Sequence, residues 1–124
     1  MKPLNVALLQ SDAGIVRTLC SSLCHHFHAI HAAKNVEELR QIITKHRVEV
    51  VVVDIEMACL SEIECLRRDF AALSIVCTHR LADDKMWTAA LNAGAADMCA
   101  SVDTRSIVTA ALRNTPSLMK SAAA

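Results

Sequence analysis

Four valines in a row, Val50 to Val53, run straight into Asp54, Ile55, Glu56 and Met57. A β-branched run this short and continuous reads as a strand buried on both faces, the habit of a central strand in a parallel sheet. Such a strand needs helices above and below it, and that demand narrows the fold more than any other stretch of the chain. The run ends on a carboxylate. In open α/β sheets, ligands and chemistry collect at the carboxyl ends of the central strands. Asp54 is therefore the leading candidate for a functional residue.

The chain has 124 residues and is 53% hydrophobic, enough for one domain whose sheet is covered on both faces. Lys+Arg and Asp+Glu number 13 each, a balance that points away from nucleic acid and from anionic membrane surfaces. Only two glycines and two prolines leave no room for long linkers or low-complexity segments. The first residues lack the pattern of a secretory leader and no stretch is apolar for long enough to span a membrane, so a cytoplasmic location is expected.

Cysteine usage agrees with a reducing compartment. Cys77 and Cys99 lie in apolar strand-like runs, and Cys20, Cys24 and Cys65 in helix-like segments, so they read as small core residues rather than disulfide partners. Cys20 and Cys24 share a helix face close to His25, His26 and His28, yet no second pair has zinc-like spacing. Cys59, in the loop after Asp54, has no neighbouring base to activate it and reads as an inert loop thiol.

Strand-like and helix-like patterns alternate five times. Val6–Leu9 leads through the polar turn Gln10–Gly14 to a helix with Ile15, Leu19 and Leu23 on one side. His28–Ala32 alternates like an edge strand, and Asn35 with Glu38 opens a helix carrying Val36, Leu39, Ile42 and Ile43. After the valine strand, Ser61 is the expected cap of a helix with Ile63, Leu66 and Phe70. Ile75–Thr78 is the fourth strand, followed by a helix from Asp83-Asp84 to the stop at Gly94. Ala95–Ala100 is the fifth strand, and the last helix starts at Asp103 or Thr104 and ends at Pro116. Right-handed crossovers then give a three-layer, flavodoxin-like (βα)5 fold with a five-stranded parallel sheet in the order 2-1-3-4-5. The expected domain covers residues 1–116, with 117–124 as a flexible tail.

In this arrangement Val53-Asp54-Ile55-Glu56-Met57 resembles the third-strand signature of response-regulator receiver domains, in which the aspartate takes a phosphoryl group. Asn92-Ala93-Gly94-Ala95 resembles the family's turn before the last strand, and the similarity runs from Val6 to about Arg113. The resemblance implies a signalling module of a two-component phosphorelay rather than an enzyme, with Asp54 as phospho-acceptor and a sensor histidine kinase or other signalling protein as partner. It is an atypical member. The places of the family's acid pair hold Gln10 and Ser11, the switch hydroxyl falls on His79 (Thr78 fits only with a one-residue shift), the aromatic switch on Met98 and the lysine on Ser101.

The resemblance also implies Mg²⁺. Asp54 and the carbonyl of Glu56 are the candidate ligands, with the Glu56 carboxylate leaning toward the ion as the alternative; Ser11 is a poorer third, and Asp12 contributes only if the first strand slips by one residue. That slip would turn Leu8 and Leu9 to the wrong faces. In receivers the fourth helix and fifth strand belong to the usual partner face, so Trp87, Leu91 and Met98 are expected to form an apolar patch for a homodimer or another partner. The rival expectation is a pseudo-receiver, which keeps the fold as an interaction or dimerisation module and drops phosphorylation.

Overall fold

In a computed structural model, which describes residues 5–81 and 83–113, the valine run forms the middle of the sheet. Strand β3 (Val50–Asp54) is buried along its whole length. It is paired in parallel with β1 (Asn5–Leu9) on one side and β4 (Ser74–His79) on the other. β2 (Ala29–Ala32) and β5 (Asp97–Ala100) complete the edges, giving the order β2-β1-β3-β4-β5. The intervening helices are α1 (Ala13–Leu23), α2 (Val36–His46), α3 (Leu60–Asp69), α4 (Asp84–Asn92) and α5 (Thr104–Arg113). The expected domain limit, the stop at Pro116 and the tail from residue 117 lie outside the described residues.

Strand alternation sorts the core into two halves. Val51 and Val53 face Leu39, Ile43, Ile63 and Leu66, from α2 and α3. Val50 and Val52 face Leu19 and Leu23 of α1 and Ile107 of α5. Each half is a continuous apolar cluster, which is why a strand of valines is stable only between two helical layers.

Short polar side chains start the helices. Asp12 Oδ1 accepts from the Gly14 and Ile15 amides (2.7 and 3.4 Å), Asn35 Oδ1 from Glu38 N (2.8 Å), and Asp83 Oδ1 from Met86 N (2.8 Å). Asp103 accepts from both Ser106 N and Ser106 Oγ (3.1 and 2.7 Å), which holds its carboxyl below the usual carboxylate range. Helix α3 departs from expectation. It starts at Leu60 with Cys59 as its cap residue, because Glu62 reaches back to accept from Cys59 N at 3.2 Å, and Ser61 lies inside the first turn. Gly94 follows α4 with φ of +107°, and a Cβ there would come 2.7 Å from Arg67 Cγ, so both conformation and space demand glycine.

All six cysteines carry free thiols. Cys77 and Cys99 are buried as expected, and burial pushes their thiols up to about 12 and about 11. Cys24 is no core residue: it caps the carboxyl end of α1 and is exposed, its Sγ donating to Ser21 O at 3.1 Å. On the opposite edge of the sheet, the rings of His31 (β2) and His46 (α2) stack at 4.0 Å and 16°. Burial, and then the neighbouring His46, lowers the His31 pKa. Among the described residues no helix is long and apolar enough to cross a membrane.

Candidate functional site

Because β1 and β3 are neighbours, the residues leaving β1 meet the last residue of β3. Gln10, Asp54 and Thr78 have the same parity along their strands as Leu8, Val52 and Val76, so all three project to the α1/α5 side of the sheet. Asp54 is only 3% exposed. Ser11 Oγ donates to its Oδ2 at 3.2 Å, and the Glu56 amide donates to its Oδ1 at 2.9 Å. The chain turns tightly behind it, with Met57 N and Ala58 N both donating to Asp54 O (2.8 and 3.2 Å). A buried carboxylate has to be hydrogen-bonded, and here both oxygens are, each by a neutral donor.

Beside it lies a contact that no linear motif announces. The Gln10 amide crosses under β3 to Thr78, with Nε2 at 3.0 Å and Oε1 at 3.2 Å from Thr78 Oγ1, and with Nε2 at 3.4 Å from Val52 O. Both residues are buried. The signal was present in the shared strand parity, which becomes legible once the strand order is fixed.

His79 projects to the other side. Its Nδ1 accepts from Leu81 N at 3.0 Å, and its Nε2 lies 3.4 Å from Glu56 Oε1. The same carboxylate oxygen accepts from Arg80 Nε and Nη2, each at 2.9 Å. The Glu56 carboxylate is thus drawn sideways to Arg80, a residue the sequence reading passed over. Asp12, offered as a helper ligand, is instead the cap of α1. Ser101, just past β5, is 1% exposed; its amide donates to His79 O at 3.0 Å, and its hydroxyl has no partner among the described residues.

The expected apolar patch changes composition. Trp87 is 46% exposed, but Met98 is 6% exposed and belongs to the inner cluster with Ala90, while Met86 packs against that cluster. Met98 has the inward parity of its register partner Cys77, so the surface loses it and keeps Trp87 with a half-buried Leu91.

These donors can be set against a divalent cation. Mg²⁺ prefers octahedral oxygen ligands, including one or two carboxylates with free lone pairs. Here one buried carboxylate has both oxygens bonded, the second acid belongs to Arg80, and the third to a helix cap. Among the described residues no three His, Cys, Asp or Glu side chains gather into a metal-holding group. Among the described residues the side chains thus offer Mg²⁺ a single carboxylate, that of Asp54, with one hydrogen bond on each oxygen.

No family model matches this sequence, and no curated protein does. Its fold, in contrast, is widely shared. A response regulator from Thermotoga maritima superposes with a TM-score of 0.83 at 15% identity, over 92% of this chain and 98% of that one. The receiver domain of a Bacteroides fragilis response regulator gives 0.83 at 17% identity over the same shares. An orphan response regulator of H. pylori gives 0.79 at 12%, over 90% of this chain and 96% of its own. The fold is that of the receiver domains. Such low identity establishes the receiver architecture alone, and leaves function to the residues at the strand ends. What the receiver fold brings together here is Ser11, Asp54 and the Glu56 amide, with Gln10 and Thr78 alongside; it sends His79 and the Glu56 carboxylate toward Arg80.

Proposed function

We propose that this chain is a receiver-type signalling module of a two-component pathway, with Asp54 at the phospho-acceptor position, and that it signals through contacts with a partner protein rather than through a phosphoryl group. The observation that carries this reading is the company of Asp54: a buried carboxylate whose hydrogen-bond donors, among the described residues, are a hydroxyl and an amide. Transfer of a phosphoryl group onto a carboxylate piles negative charge into one place, and fixed cations must offset it. By the receiver resemblance those cations would come from a metal on the acid pair and from a lysine. Gln10, Ser11 and Ser101 stand in those places. The Gln10–Thr78 pair adds a satisfied neutral contact beside it.

One observation favours a second reading, in which Asp54 accepts a phosphoryl group from a sensor histidine kinase. Two donors are aimed at its carboxylate at the switch point of the sheet, and Arg80 sits on the loop side as a cation within reach of Glu56.

Intact-mass measurement after incubation with acetyl phosphate and Mg²⁺, with Asp54→Asn as control, separates the two. An unmodified chain under forcing conditions supports the contact module. A phosphoryl adduct that Asp54→Asn abolishes establishes the acceptor and removes the first reading.

A further inference from the structure

Helices α1 and α5 lie on the same face of the sheet, and two adjoining hollows run between them, with Thr18 and Thr104 lining both. The hollow nearer the strand ends has a volume of about 350 Å³ and is bordered by Asp12, Ile15 and Ser101. The other has a volume of about 510 Å³ and is bordered by Ser22, His25, His26, Arg105 and Val108. Volumes of this order suit a small ligand.

The larger hollow is lined by hydrogen-bond donors and one fixed cation, Arg105. Arg105, His25 and His26 border it, and no carboxylate lines it. Among the described residues none of these three side chains makes an ion pair. Asp103 keeps its negative charge beside Arg105, with both oxygens bonded to Ser106, and it does not line the hollow. Val108 and the imidazole faces supply an apolar wall, and Ser22 and Thr104 add hydroxyls. At the far end sits Ser101, 1% exposed, with an unpartnered hydroxyl beneath the floor.

We propose that the α1–α5 groove binds a phosphate monoester with an apolar body. The phosphate lies against Arg105, His25 and His26, where the guanidinium can bond two phosphate oxygens at once. The body runs along Val108 toward Ile15. This site is separate from Asp54, and its occupancy does not depend on chemistry there.

The test is a titration of the full chain with phenyl phosphate, followed through the amide resonances of Thr18, Ser22, Thr104 and Thr109. Saturable shifts confined to α1 and α5 are expected, with half-saturation at roughly 1 mM, the strength of a small, mostly exposed contact. Arg105→Gln, a change at an exposed position, should weaken binding about tenfold, the value of one charge-assisted hydrogen bond. A His25→Gln/His26→Gln double variant, also at exposed positions, should weaken it severalfold, and inorganic phosphate should bind more weakly than the ester. Absence of saturable shifts, unchanged binding in both variants, or equal affinity for inorganic phosphate would overturn the proposal.

Discussion

The interior of the central strands and their carboxyl ends, a few ångströms apart, are built on different rules. Val50 to Val53 ask only for apolar neighbours on two sides, and any helix with an apolar stripe satisfies them. Gln10, Asp54, Thr78 and Ser101 are buried too, yet each polar atom needs one specific partner. The interior therefore tolerates approximate answers, whereas the ends are either paired or visibly unpaired. Asp54 is paired, Gln10 with Thr78 is paired, and Ser101 is not.

Four substitutions probe that contrast, each read as a shift of the urea midpoint at constant slope. Leu8→Ala removes a fully buried side chain from the α1/α5 half of the core and should cost about 2–5 kcal/mol through lost burial and the cavity left behind. Thr78→Val keeps shape but strips the Gln10 amide of its hydroxyl partner, for an expected loss of about 1–3 kcal/mol. Adding Gln10→Leu should recover much of that loss, because no buried polar group is then left alone. If the double variant is instead as weak as the sum of its parts, the pair does not act as a unit. Ser101→Ala deletes a hydroxyl that has no partner among the described residues and should change stability by less than about 1 kcal/mol, toward greater stability. A loss as large as that of Leu8→Ala would erase the distinction between interior and ends.

The same contrast explains what could be read from the chain. The valine run, the helical stripes, the cap at Asn35 and the acidic opening at Asp83-Asp84 are local patterns, and with right-handed crossovers they led to the strand order and a core on both faces. The cap of α3 moved from Ser61 to Cys59 because the deciding partner, Glu62, acts through a side chain reaching backward. Met98 was assigned to a surface patch although its strand parity points inward. At the site, Asp54 was legible because it ends a strand. Arg80 and the Gln10–Thr78 contact were not, since they depend on residues 24 and 68 positions apart meeting at the carboxyl end of the sheet.

The stacked imidazoles at the β2 edge give the sheet an acid-labile margin. A histidine held below its ordinary value of 6.5 takes a proton less readily in the fold than in the unfolded chain. Its contribution is complete above that value and fades as the pH falls toward the lowered one, where a proton on His31 would set a charge against His46. Since β2 is joined to the sheet by β1 alone, acid works there on a hem, loosening one border while the valine centre stays closed.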